Sequence, residues 1–270
     1  MKTTFYFIFS CIIMTATYGQ SSRDFSESGK TKAIEKDYKG AIEDFNKAIE
    51  IDPRAHVAYY NRGIARDNLQ RYRGAVADFT KAIELKPNDQ EAYFNRGISN
   101  ANLKEYLNAI EDFSKALELR PKDSLCYYNR GLAKYKAEDY VGASADLNKY
   151  IKNDKFSAEA FFYLGQSEIK LEYYAAAIEN LSKAIVLKEK FDEAFTQRGY
   201  AKWAIENDKE AIEDFTQAIA INPNNSEAFY YRGISEIMVN DKESACRDFT
   251  HAARLKYPKA AQAIIKYCQE

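Results

Sequence analysis

Apolar residues recur along this chain at helical spacing, and the helical pattern itself recurs every 34 residues. Gly29, Gly63, Gly97, Gly131, Gly165, Gly199 and Gly233 mark the long period without an insertion or deletion. Four residues before each glycine stands an aromatic, from Phe25 and Tyr59 to Phe229. Twelve residues after it stands alanine every time, from Ala41 to Ala245. Sixteen after comes Phe or Leu (Phe45, Phe79, Phe113, Leu147, Leu181, Phe215, Phe249), and nineteen after comes alanine, with Tyr150 the exception. Offsets of 12, 16 and 19 share one face of a 3.6-residue helix, and a stripe at −6, −3, +1 and +4 does the same for an earlier helix. Each period therefore predicts two helices. The small residues let them approach closely, and the aromatics fill the wedge between units. Pro53, Pro87, Pro121 and Pro223 stop the second helix and turn the chain into the next unit.

These columns resemble the tetratricopeptide repeat, whose signature places aromatic, Gly, Ala, aromatic and Pro at these spacings. The resemblance implies an all-α fold, a right-handed α–α superhelix of seven two-helix repeats. They would span residues 22–55, 56–89, 90–123, 124–157, 158–191, 192–225 and 226–259, with 260–270 as a C-terminal capping helix. Three departures matter. The leucine usual just before the glycine is arginine in five units, and the tyrosine usual three residues after it is polar throughout (Lys32 to Glu236). The closing proline is replaced by Lys155 and Glu189, and Pro258 comes one residue late, so less regular turns are expected around repeats four and five.

Arg62, Arg96, Arg130, Arg198 and Arg232 each have an aspartate sixteen residues later: Asp78, Asp112, Asp146, Asp214 and Asp248. In the fifth unit both change together, to Leu164 and Asn180. A cation between packed helices is costly unless paired, so the joint loss predicts ion pairs within each repeat that set helix–helix register. Independent solvated charges are the alternative.

The 270 residues carry 39 Lys+Arg against 40 Asp+Glu, a balance that disfavours nucleic acid as a partner. Lys2, the apolar run Phe5–Met14 and small residues up to Gly19 read as a cleavable signal over residues 1–19, cut between Gly19 and Gln20, with export to the periplasm or beyond. A lipid anchor on Cys11 is the rival. The run is too short to span a membrane, and no transmembrane segment is expected in the mature chain. The mature chain keeps Cys126, Cys246 and Cys268, an odd number. Cys246 fills a column occupied elsewhere by Ile42, Val76 and Ile110, and is read as a small buried hydrophobe, with a bridge to Cys268 as the alternative.

No catalytic residue, cofactor site or metal site is expected. The glycines not used by the repeat (Gly40, Gly74, Gly142 and Gly19) leave none for a phosphate-cradling loop. His56 and His251 lie in different columns, and no Cys–His or Ser–His pairing stands out. What remains for function is the first-helix stripe, which in tetratricopeptide proteins lines a concave peptide groove. Here it offers Tyr60, Phe94, Tyr128, Phe162 and Tyr230 at −3, Ile64, Ile98 and Leu132 at +1, and Tyr135 and Trp203 at +4, bordered by Glu91, Glu159, Glu193 and Glu227. Ordinary packing is the competing reading of the −3 aromatics. Asn61, Asn95 and Asn129 match one position of the carboxylate clamp of chaperone-binding relatives, but the clamp's cations are missing, so the asparagines are read as bonding a ligand backbone or the adjacent helix. The expected function is a protein–protein interaction scaffold that holds a peptide or protein segment. The alternative is a self-associating protein or a component of a cell-envelope complex.

Overall fold

The periodic columns become pairs of antiparallel helices. A computed structural model describes residues 20–269, so the expected leader over residues 1–19, its cleavage site and Cys11 lie outside the described residues. The described residues contain fifteen helices and no strand. The chain divides into two units, Met1–Leu85 and Lys86–Glu270. The first unit holds α1 (Ser22–Ile34), α2 (Tyr38–Ile51), α3 (His56–Asn68) and α4 (Tyr72–Leu85). The second holds five further pairs: α5 (Gln90–Asn102) with α6 (Tyr106–Leu119), α7 (Ser124–Lys136) with α8 (Tyr140–Asn153), α9 (Ala158–Lys170) with α10 (Tyr174–Leu187), α11 (Asp192–Ala204) with α12 (Asp208–Ile221), and α13 (Ser226–Met238) with α14 (Lys242–Arg254). A final helix, α15 (Ala260–Tyr267), packs on α14. Within each unit the second helix of a pair also packs on the first helix of the next, and successive first helices touch.

The marker glycines are a packing requirement, since none has positive φ. A Cβ on Gly97 would lie 2.8 Å from Cε1 of Phe113, and one on Gly63 would lie 2.7 Å from the same atom of Phe79. The ring sixteen residues on is pressed against the backbone of the first helix, and Phe45, Phe79, Phe113, Phe215 and Phe249 are fully buried there. Where the ring becomes Leu147 or Leu181, the leucine Cγ takes its place at 3.0 and 2.7 Å.

The turn inside each repeat is closed by a Schellman motif without glycine. Asp37 N–H donates to Lys32 O at 2.8 Å and Lys36 N–H to Ala33 O at 3.1 Å, and the same two bonds recur through Asp241 to Glu236 and Asn240 to Ile237. The residue that must enter the left-handed region is Lys36, Gln70, Lys104, Glu138, Glu172, Glu206 or Asn240, with φ between 56° and 66°. The turns between repeats all have the same length, but the expected irregularity is present. The proline-bearing turns close with an i to i+3 bond (Ala55 N–H to Asp52 O, Asn225 N–H to Asn222 O), and the turns at 154–157 and 188–191 have none.

Cys246 departs from expectation. It is half-buried and disulfide-bonded to Cys268, with the Cα atoms 5.7 Å apart. The other places in its column hold Ile or Val, except Ser144 in the fourth repeat. Here the single helix α15 faces it, and the bridge ties α15 to α14. Among the described residues Cys126 is the free, buried cysteine, its thiol donating to Phe113 O at 3.3 Å, and burial pushes its pKa up to about 12.

Two stability effects follow. Gly97→Ala forces Phe113 out of a filled wedge, and chemical denaturation should show a loss of about 1–3 kcal/mol. Glu172→Gly relieves a left-handed conformation costing about 1–2 kcal/mol against a glycine entropy cost of about 0.5–1, so its urea midpoint should rise. A fall would mean that the Glu172 side chain stabilises the turn by a contact of its own.

Candidate functional site

Buried charge in this fold belongs to a polar ladder between the helices of each pair. Arg62 holds Asp78 with two nitrogens, Nη2 at 2.7 Å and Nε at 3.0 Å, and lies over the Tyr59 ring at 5.3 Å. Arg130, Arg198 and Arg232 repeat the fork on Asp146, Asp214 and Asp248. The expected pairing within repeats is present, in a stacked two-nitrogen geometry that lysine could not provide. A third guanidinium nitrogen reaches back to the preceding repeat: Arg62 to Asn46 at 2.7 Å, Arg130 to Ser114 at 3.0 Å, Arg198 to Ser182 at 2.9 Å and Arg232 to Thr216 at 3.1 Å. That bridge was missed. Its signal is a column of hydrogen-bonding residues seventeen after each glycine.

The polar column three after each glycine supplies the second partner. Arg66, Lys134 and Lys202 bind Asp78, Asp146 and Asp214 at 2.7 to 2.9 Å, Asn100 donates to Asp112 at 2.9 Å, and in the first repeat, where Ser28 stands in the arginine column, Lys32 binds Asp44 at 2.7 Å. In the fifth repeat the groups trade places: Asn180 donates to Glu168 at 2.9 Å, beside the fully buried Leu164. Two cations against one carboxylate leave Asp146 below its ordinary pKa despite burial. At Asp112, with Arg96 and a neutral amide as named partners, burial wins and the pKa rises.

The seventh repeat has the opposite excess. Glu236 occupies the cation's place, 3.9 Å from Arg232 Nε, while Asp248 already takes that arginine at 2.6 Å. Its Oε2 is buried without a hydrogen bond. Burial, then Asp248 and Asp241, push Glu236 up to about 7 against the opposing Arg232 and Arg247.

The first-helix stripe is half-buried for the most part. In the second unit Phe94 packs on Phe113 (ring centroids 5.7 Å), Tyr128 on Tyr150 (4.9 Å), Phe162 on Phe191 (4.7 Å) and Tyr230 on Phe249 (5.9 Å). In the first unit Tyr60 packs on Phe79 at 5.8 Å, and Ile64 is half-buried beside it on α3. Each −3 ring thus takes part in packing, and Phe162 is only 8% exposed. Ile98 joins Phe94 against the Phe113 cluster, while Leu132 is half-buried. Tyr135 meets Tyr163 of the next first helix at 5.4 Å, and Trp203 meets Tyr231 at 5.4 Å. Tyr200 belongs to the +1 column of the stripe, whereas Tyr163, Tyr231 and Tyr257 were not singled out. The first three enlarge the aromatic wall, and Tyr257 extends it by stacking on Tyr230 at 4.7 Å. The amides of Asn61, Asn95 and Asn129 donate to Val57, Glu91 and Leu125 carbonyls one turn back in their own helices. The border acids Glu91 and Glu159 meet Arg120 and Lys188 at 3.7 and 3.5 Å. Among the described residues no cluster of His, Cys, Asp and Glu is arranged to hold a metal, and no helix is long and apolar enough to cross a membrane.

Family comparison agrees with this geometry. Models described as tetratricopeptide repeat match residues 60–124 and 128–191, residues 192–225, and, as TPR repeat, residues 29–67. The chain belongs to the tetratricopeptide repeat family. Among solved structures it is similar to YrrB, described as a TPR protein with an unusual peptide-binding site, at 27% identity over 71% of this chain and 98% of that one (TM-score 0.62). A tetratricopeptide repeat protein from Parabacteroides merdae matches 93% of this chain and 100% of its own at 19% identity (TM-score 0.63). The C-terminal part of a TPR repeat-containing protein from Cytophaga hutchinsonii matches 88% and 98% at 18% identity (TM-score 0.70). The last two share the fold alone. No curated protein matches the sequence.

The seventh-repeat ladder makes stability depend on pH. Because the folded pKa of Glu236 lies above its ordinary 4.5, its stabilisation is fully present below about 4.5 and is lost as pH rises to about 7. Glu236→Gln should flatten that decline and raise stability at pH 8 by roughly 1–3 kcal/mol, read by urea unfolding at several pH values.

Proposed function

We propose that this tetratricopeptide repeat protein is a non-enzymatic scaffold that holds a peptide or protein segment on its first-helix face, after export from the cytoplasm. The aromatic wall of the second unit carries this reading. Tyr128, Leu132, Tyr135, Tyr163, Tyr200 and Trp203 are half-buried: they are anchored in the helix layer, and part of each side chain stays accessible. Rigid aromatic side chains already fixed by their neighbours lose little entropy on binding and serve well as anchors. Burial holds the Tyr128 hydroxyl's pKa up at about 12, so it remains a hydrogen-bond donor.

The peptide-binding site in the description of YrrB supports the same class of ligand. The near-neutral charge gives no pull toward nucleic acid. The expected leader over residues 1–19 and the Cys246–Cys268 disulfide together favour an oxidising destination, periplasmic or beyond. In the first unit, Tyr60 and Ile64 present the same chemistry on α3.

Leu132 is the cleanest probe, because Phe94 and Tyr128 also support Phe113 and Tyr150. In photo-crosslinking from a probe near Tyr135 in the native envelope, Leu132→Glu should cut capture of the partner about tenfold with helical melting unchanged. An unchanged partner set in a folded Leu132→Glu protein would refute the first-helix reading.

A further inference from the structure

On the opposite side of the helix pairs, the second helices of repeats four and five, α8 and α10, frame a pocket of about 800 Å³. Its apolar lining comes from Ile151, Phe161, Val186 and Leu187, and its charge from Lys152, Lys155, Lys183 and Glu179. Val186 is 79% exposed. Lys183 is already paired with Glu179 at 2.6 Å, while Lys152 and Lys155 form no ion pair among the described residues. The pocket is therefore apolar in its walls and net positive at its rim.

The repeat shows how unusual this is for the chain. The positions of Lys152 and Val186 are held by Glu50, Glu84 and Glu118 in the first three repeats. In repeats two and three the glutamate neutralises the lysine three residues before it, Lys81–Glu84 at 2.8 Å and Lys115–Glu118 at 2.6 Å. Lys155 stands where those repeats carry proline. Three departures from the repeat thus meet at one pocket, and each adds positive charge or exposed apolar surface.

We propose that this pocket is a second docking surface, which receives an acidic segment of a partner protein by burying one apolar side chain flanked by carboxylates. The apolar side chain would lie against Val186, Leu187 and Phe161, with the carboxylates reaching Lys152 and Lys155 at the rim. A recess between two helices fits a side chain better than it fits a flat lipid surface. The proposal does not depend on the first-helix face.

The test uses the full mature chain and three short fluorescent peptides: a central leucine–phenylalanine pair flanked by aspartate and glutamate, the same pair flanked by lysine, and the acidic peptide with both apolar residues changed to alanine. Fluorescence anisotropy should show binding of the first peptide alone. Affinity should fall about tenfold in Lys152→Glu/Lys155→Glu and in Val186→Glu, and stay unchanged in Leu132→Glu. Lys152, Lys155 and Val186 are all exposed, so circular dichroism should find the variants folded. Equal binding of the three peptides, or binding that survives Lys152→Glu/Lys155→Glu, would overturn the proposal. So would loss of binding in Leu132→Glu, or retention on phosphatidylglycerol-rich vesicles with no peptide binding.

Discussion

In each repeat a side chain sixteen residues beyond a glycine presses onto the backbone of the preceding helix, at a distance that leaves little or no room for a Cβ. This contact sets how closely the two helices lie, and the other features follow from that separation. The alanines at the twelfth and nineteenth positions are fully buried or nearly so because the helices are already that close. The antiparallel pair, once closed, has one flank facing the previous pair and one facing the next, so its remaining apolar surface is covered only by repetition. One leucine can replace the ring, as Leu147 and Leu181 show, provided that a branched carbon fills the same space.

The polar ladder acts on a different scale. A buried ion pair adds little net stability against an apolar pair of equal volume, but it penalises any register that leaves one charge alone. Here the aspartate of the second helix is held by two groups of the first, and Arg62, Arg130, Arg198 and Arg232 also reach the preceding repeat through Asn46, Ser114, Ser182 and Thr216. The guanidinium therefore fixes the position of one repeat on another as well as of one helix on its partner. The fifth repeat keeps the logic with different atoms, Asn180 and Glu168, and the seventh breaks it at Glu236, next to the terminus where a disulfide holds the last helix.

Function lies on what the repetition leaves over. First helices carry the aromatic stripe, and second helices carry paired lysines and glutamates with polar surroundings. Because both faces are sampled once per repeat, a local departure stands out against its neighbours. Tyr163 and Tyr231 stand two residues before their glycines, where repeats two to four carry asparagine, and join Tyr135 and Trp203 on the first helices. Lys152, Lys155 and Val186 replace glutamate, proline and glutamate beside the second helices α8 and α10.

Much of this could be read from spacing before any coordinates. The helix pairs, the glycine–aromatic columns, the Arg–Asp pairs sixteen residues apart and the altered turns at Lys155 and Glu189 are all relations inside one repeat or its closing turn. There, helical geometry converts sequence distance directly into spatial distance. The reach of Arg130 to Ser114, the pairing of Tyr135 with Tyr163 and the pocket between α8 and α10 were not legible in that way, and the bond between Cys246 and Cys268 was legible only as the alternative to a buried thiol. Each joins residues from different helix pairs, or from the last pair and its cap. Their separation depends on how one pair tilts on the next, which is set by side-chain packing in three dimensions and by no fixed interval along the chain.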